Sequence, residues 1–213
     1  MGKESGTYIK ARKQNIMTWT HHIYTPLGFV KENILGNSRA LDIGCGQRKL
    51  PGAFGIDIIE NSQADLVHDL KNTPWPIESN SFDIVLINHV LEHVDDVVGF
   101  LSEVWRVTKT DGHIVIQVPY FRSTDAYADP THRRFFTSRS LDYFLEGTGL
   151  SEYNYVPFRF RKVGFWYGWP QKSRNPIKRL FKLFIHRYPN LYDQYLSLLF
   201  PIQCVTWELE VRK

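Results

Sequence analysis

Phe82–Asn88 reads FDIVLIN, an almost unbroken apolar run of strand length. A strand with few polar positions must be covered on both faces, which is the situation of a central strand in a parallel sheet. Neighbouring segments fit that frame. Arg39–Gly44 (RALDIG), Phe54–Ile59 (FGIDII) and Asp65–Leu70 (DLVHDL) precede it as short apolar runs, and His113–Pro119 (HIVIQVP) follows. Between them Val94, Val97, Val98, Leu101, Val104, Trp105 and Thr108 recur at helical spacing, predicting a helix over Val94–Lys109 that stops ahead of Gly112. Thr137 or Ser138 is placed to cap a further helix through Glu146, closed by Gly147. Leu150–Phe160 and Gln203–Arg212 read as late strands, the second alternating as an edge or antiparallel strand does. Strands alternating with helices predict an open, mostly parallel α/β sheet. Ligands of such sheets sit beyond the carboxyl ends of the strands, so the loops there should carry the chemistry.

At 213 residues the chain suits a single domain with a core of its own. It divides into a polar lead-in over 1–38 with a helix near Pro26–Leu35, a core over 39–150, and C-terminal strands over 151–213 that carry a helical insertion. The overall charge of +4 hides an asymmetry: residues 151–213 hold 11 Lys/Arg against 4 Asp/Glu, and 15 of the aromatics. A segment so rich in Phe, Tyr and Trp is not a solvated disordered arm. Within it Asn175 is a cap with Pro176 at the first helical position. Ile177, Leu180, Phe181, Phe184 and Ile185 then fall on one face, and Lys178, Arg179, Lys182 and Arg187 on the other. Leu191–Phe200 continues as a second apolar helical stretch. The helix over 176–187 reads as a packed insertion, an acceptor-binding lid, or a peripheral contact with anionic lipid.

Cys45 and Cys204 have the spacing of neither a zinc site nor a disulfide framework, and no metal site is expected. The N-terminal MGKESGTYIK lacks the apolar stretch of a secretory signal, and Gly6 stands where myristoylation wants Ser or Thr. No apolar run approaches the roughly 18 residues of a spanning helix. The expected localisation is cytoplasmic.

The loop after the first strand is Asp42-Ile43-Gly44-Cys45-Gly46-Gln47, where two glycines let the backbone approach a ligand closely. Asp57 ends the second strand, placed to accept hydrogen bonds from a ribose diol. Asp69 ends the third, placed to meet an adenine amino group with Leu70 beside the ring, and Asn88 and His89 end the fourth at the cleft. A nicotinamide dinucleotide enzyme would carry G-x-G-x-x-G and a helix facing the pyrophosphate. Lys49 occupies the third glycine position here, and little room for a helix remains before Phe54.

The ordered set ALDIGCG, GIDI, HDL, FDIVLINHVLEHV and FLSEVWRVTKTDGHIVIQVP, over about residues 39–120, resembles class I S-adenosylmethionine-dependent methyltransferases of the methyltransferase type 11 kind. The resemblance implies a Rossmann-like seven-stranded sheet, mostly parallel with strand seven antiparallel and helices on both faces. It implies S-adenosyl-L-methionine as cofactor and S-adenosyl-L-homocysteine as product. Asp42, Gly44 and Gly46 would line the methionine end with Cys45, Asp57 and Ile58 the ribose side, Asp69 and Leu70 the adenine, and Asn88 and His89 the region of the sulfonium. Two departures stand out: Arg48 replaces the family's usual third glycine, and the helix between strands one and two is nearly absent.

An oxygen acceptor must lose a proton, so a base is useful, and His89, His93 and His132 are candidates. His132 lies in Asp129-Pro130-Thr131-His132-Arg133-Arg134 beyond the fifth strand. The expectation is that His132 is the base, oriented by Asp129, with Arg133, Arg134 and Tyr120 contacting the acceptor and His89 at the cleft edge; His93 is expected to be a structural contact at its helix start. The acceptor expected is a small molecule, a glycan or a lipid-linked compound. Nucleic acid is disfavoured, because the loop after strand four is Asn88-His89-Val90-Leu91 and not the Asn/Asp-Pro-Pro-Tyr typical of base-amine methylation. An RNA methyltransferase and a non-catalytic cofactor-binding protein are the alternatives.

Overall fold

A computed structural model describes residues 38–154, 156–168 and 175–213. The expected helix near Pro26–Leu35 lies outside them. Seven strands form one sheet: β1 (Ala40–Ile43), β2 (Phe54–Asp57), β3 (Leu66–Val67), β4 (Phe82–Asn88), β5 (Thr108–Pro119), β6 (Arg159–Tyr167) and β7 (Cys204–Arg212), in the order β3-β2-β1-β4-β5-β7-β6. β1 to β5 run parallel to one another, and β7 runs antiparallel to both β5 and β6. β4 sits at the centre with Ile84 to Ile87 buried, as its apolar run requires.

Side chains alternate across the strands, so each strand feeds two layers. Leu41, Ile43, Ile56, Val85, Ile87, Ile114, Ile116, Trp207 and Leu209 face one layer, where α1 (Val97–Val107) contributes Phe100, Leu101, Val104 and Val107. Ala40, Ile84, Leu86 and Val115 face the other, against Leu50 and Ala53 from the β1–β2 loop. That second face also carries Asp42 and Asp57, both buried, at the carboxyl ends of their strands. The β1–β2, β2–β3 and β3–β4 connections contain turns and no helix, so the helical cover is thinner than expected there.

Three expected elements differ. The helix begins at Val97, because Leu91–His93 first forms a separate 3₁₀ turn and Asp96 then caps α1 by accepting from Gly99 N at 2.9 Å. It ends at Val107, where the Thr108 hydroxyl donates to Val104 O at 2.6 Å and the backbone turns straight into β5; Gly112 lies inside that strand. The segment 137–146 holds one 3₁₀ turn, Asp142–Phe144, and no longer helix. Its would-be cap is diverted: Ser138 donates both N–H and hydroxyl to Asp193, while Leu141, Phe144 and Leu145 are drawn into the core. Residues 151–153 form a 3₁₀ turn, and the sixth strand starts only at Arg159.

The insertion before the last strand is present. α2 (Pro176–Arg187) is capped by Asn175, whose Oδ1 accepts from Ile177 N at 2.9 Å and Lys178 N at 3.2 Å. It packs through Ile185 and Phe181, and the chain continues in short helical turns to Leu196. Asp193 fastens this region to the sheet: it accepts from the hydroxyls of Tyr120 at 2.8 Å and Tyr167 at 2.6 Å.

Candidate active site

Four loops meet at the carboxyl edge of β1, β2, β3 and β4. Gly44 has φ +66°, and a Cβ on it would lie 2.3 Å from Val90 Cγ2, so the first loop and the one after β4 touch only because this residue has no side chain. Gly46 has φ +52° and open space where its Cβ would be. Asp57 holds this shape: Oδ2 accepts from Gly46 N at 2.7 Å and Oδ1 from Ile59 N at 2.9 Å. Each carboxylate oxygen has a second lone pair to offer a diol. Asp42, one strand over, accepts from Leu50 N at 2.7 Å, and burial pushes its carboxyl up to about 6. Burial likewise pushes the Cys45 thiol up to about 11, which makes it packing and not a nucleophile.

Ile58 and Ile59 follow Asp57 and are more than half exposed, at 60% and 55%. Large apolar side chains held beside a buried acid at a cleft suit the face of a base or other flat ring. Asp69 caps its own turn, with Oδ1 accepting from Lys71 N at 3.0 Å. Leu70 is fixed by a residue the sequence reading passed over: Trp75 Nε1 donates to Leu70 O at 3.1 Å. Trp75 is in turn held by Glu103, which accepts from Trp75 N at 2.7 Å and binds the Arg106 guanidinium.

Asn88 closes β4, and His89 follows with φ +55°, a left-handed conformation that costs energy for a non-glycine residue. His89 Nδ1 donates to Glu92 Oε1 at 3.1 Å. The next turn brings Glu92, 1% exposed, and His93 against His132, so that one ligand atom from each lies within 4.8 Å of the others. Backbone bonds lock the loops together: Arg133 N and Arg134 N both donate to Glu92 O, at 2.8 and 3.1 Å.

The expected pairing of Asp129 with His132 is redrawn. Asp129 accepts from the Thr131 hydroxyl at 2.7 Å, and that hydroxyl meets His93 Nδ1 at 2.9 Å. His132 Nδ1 is held by Ala126 O at 3.0 Å instead. Asp129 therefore reaches His93, the histidine expected only to be structural. Tyr120 is also corrected: it is fully buried among Phe121, Tyr167 and Tyr192, its hydroxyl is taken by Asp193, and it does not line the cleft. Arg133 forms an ion pair with Asp95, and Arg134 Nη2 donates to Asp95 O at 2.6 Å. Arg134 with Asp96, Val98, Phe135, Tyr143 and Phe144 lines a cavity of about 490 Å³ beside the start of α1. Glu92 was the residue most plainly missed. Its signal in the sequence is an acid between Leu91 and His93 at a strand end, which reads as solvent-facing until the 3₁₀ turn is known.

Comparison with known proteins agrees with this architecture. Residues 41–116 match the family model described as Methyltransferase domain. Demethylmenaquinone methyltransferase of Staphylococcus saprophyticus is 33% identical over 136 residues, 52% of this chain and 57% of that protein. The chain thus spans just over half the length of that curated relative. Among solved structures, an S-adenosylmethionine-dependent methyltransferase from Archaeoglobus fulgidus superposes with TM-score 0.58 at 20% identity, over 94% of this chain and 93% of that one, a likeness of fold.

Proposed function

We propose that the chain, whose residues 41–116 match the methyltransferase domain model and whose sheet has the class I order, transfers a methyl group from S-adenosylmethionine to an oxygen of a small-molecule, glycan or lipid-linked acceptor. The observation that carries the cofactor reading is Asp57: a buried carboxylate at the end of β2 that shapes the glycine loop and lies beside exposed Ile58. The residues fit the group. Asp57 would meet the ribose, Ile58 and Leu70 the adenine, Asp69 its amino group, and Asp42 with the 44–46 loop the cationic methionine end. Bound there, the cofactor supplies an electrophilic methyl carbon already activated by its sulfonium. The chain then has to orient an acceptor and exclude water, and such positioning can carry much of the rate. Loss of the acceptor's proton is assigned to the cluster at the end of β4, with His132 the residue whose loss should cost most.

Calorimetry on the full chain tests the reading. S-adenosylmethionine and S-adenosylhomocysteine should bind and NAD should not; silence with the first two would end the proposal. Asp42 adds a pH dependence. Its carboxyl is neutral below about 6 and anionic above. Affinity for the cationic cofactor should therefore rise between about pH 5 and 7 and then level. Asp42→Asn should flatten that rise; an equally steep profile in the variant would assign it to another group. The linked effect on the empty protein has the opposite sign. A carboxyl raised from 3.8 to about 6 favours the fold at low pH, and its contribution is lost as pH climbs through that window.

The lipid-linked version of the acceptor has its own support. On α2, Ile177, Leu180 and Leu183 are 78%, 70% and 61% exposed, and Leu198, Leu199 and Phe200 also face outward. Lys178, Arg179 and Arg187 flank them on the same helix. An apolar ridge with a basic border is the chemistry of a helix lying on an anionic membrane surface. No described helix is long and apolar enough to cross one. The chain should pellet with phosphatidylserine-containing vesicles at low salt. The double change Leu180→Glu, Leu183→Glu should reduce the bound fraction at least about tenfold, given roughly 1.5–3 kcal/mol for fully burying each leucine. Equal pelleting of the variant would remove the membrane contact from the reading.

A further inference from the structure

We propose that Glu92, His93 and His132 form a binding site for one divalent transition-metal ion. The inference stands on these side chains alone and does not depend on the methyl-transfer reading. The first support is convergence: Glu92 and His93 come from the 3₁₀ turn after β4, His132 from a loop some forty residues later, and their ligand atoms share one spot within 4.8 Å. The two rings meet edge to face with centroids 4.7 Å apart.

The second support is the proton inventory. A backbone carbonyl can only accept, so the Ala126 O contact at 3.0 Å places a proton on His132 Nδ1, and in the neutral tautomer that fits this contact Nε2 is the nitrogen available as a ligand. That Nε2 lies 3.9 Å from Glu92 Oε1. The Thr131 hydroxyl spends its proton on Asp129, so it accepts from His93 Nδ1, and in the neutral tautomer that fits this contact His93 Nε2 is the nitrogen available as a ligand. Glu92 brings a carboxylate that is 1% exposed, with Oε1 taken by His89 and Oε2 buried without a hydrogen-bond partner among the described residues. Two imidazoles and a buried carboxyl group thus converge with no hydrogen bond joining the three to one another among the described residues. A cation satisfies all three at once.

The third support is the set of partners behind the ligands. Histidine ligands of metals have their other nitrogen donated to a carbonyl or a carboxylate-linked group, which fixes the tautomer and aims the ring. Here Ala126 O does this for His132 and the Thr131–Asp129 pair for His93. Two imidazoles and one carboxylate suit zinc, cobalt, iron(II) or manganese better than calcium or magnesium, which prefer all-oxygen shells. Three protein ligands leave room in the coordination sphere for water or an acceptor oxygen.

Chelator-stripped full-length protein, titrated with Zn²⁺ alone and dialysed, should retain one equivalent by elemental analysis. Co²⁺ should give the visible absorption of a low-symmetry site. His93→Ala and His132→Ala should each lose both signals. Thr131→Val, which leaves all three ligands in place, should weaken binding roughly 10–100-fold. Thermal melts and S-adenosylhomocysteine calorimetry on the same samples report whether each variant is folded, and keep failure of this site separate from failure of the cofactor reading. Absence of retained metal in the wild type, or retention unchanged in folded His93→Ala and His132→Ala, would overturn the proposal.

Discussion

Asp57→Ala should reduce affinity for S-adenosylmethionine by at least about 100-fold, the equivalent of about 2.7 kcal/mol. Two losses combine. The carboxylate accepts from Gly46 N and Ile59 N, and hydrogen bonds to a charged acceptor contribute roughly 1.5–3 kcal/mol each. Without them Gly46 N and Ile59 N lose their partner, and the second half of the glycine loop is held to β2 only through Gly44 N and Cys45 N on Ile56 O. The second loss is direct, since the remaining lone pairs are those offered to the ribose. Asp57→Asn keeps one carbonyl oxygen and should fall between wild type and alanine. Calorimetry gives the affinities, and far-UV circular dichroism should show the sheet unchanged. An alanine variant that binds within threefold of wild type would show that the cofactor, if bound, sits elsewhere.

Trp207→Ala should cost about 3–5 kcal/mol of stability, the range for removing a large buried aromatic. Trp207 is wholly buried in β7, opposite Ile116 of β5 on one side and Phe165 of β6 on the other. Its ring packs on Phe136 and Phe165 at centroid distances of 6.4 and 5.4 Å. The hole would lie where β5, β7, β6 and the 136 segment meet, with neighbours held by the sheet and unable to collapse. Against a typical total of about 5–15 kcal/mol, much of the margin would go. Urea unfolding should show a midpoint lowered by roughly 1–5 M with unchanged slope, taking about 1–3 kcal/mol per molar for the slope. A shift corresponding to less than about 1 kcal/mol would mean that the strand order around β7 is wrong.

The strands were legible wherever burial and local pattern agree. FDIVLIN is apolar because both its faces are covered, and the glycines of GCG mark a turn that needs positive φ. The Asn175–Pro176 cap was legible because its chemistry is local: one side-chain oxygen meets two nearby amides. Segment 137–146 was not legible, because it is shaped by partners far along the chain: Asp193 holds Ser138, and Leu141, Phe144 and Leu145 are drawn into the core. The late strand was misplaced for a similar reason. Among the seven strands β6 pairs with β7 alone, so its register comes from a partner, and Tyr153 and Phe158 ahead of it are equally apolar without being in the sheet. On the cofactor side the strand-end acids were readable from position alone. On the acceptor side the histidines were readable as types, but their partners depend on which loops meet. Thr131 intervenes between Asp129 and His93, and no spacing rule announces that.

The order β5-β7-β6 sets a timing problem for a ribosome making this chain. β6 emerges before the strand that must lie between it and the rest of the sheet. At about 5–20 residues per second it waits roughly 2–9 s for β7 to be synthesised, without its partner strand. A waiting strand rich in aromatics is a template for other nascent chains. Its sequence, RFRKVGFWY, places Arg159, Arg161 and Lys162 at the leading end. In the finished fold Arg161 is ion-paired with Glu210 of β7, so the charge that would keep β6 solitary while it waits also recognises the strand it waits for.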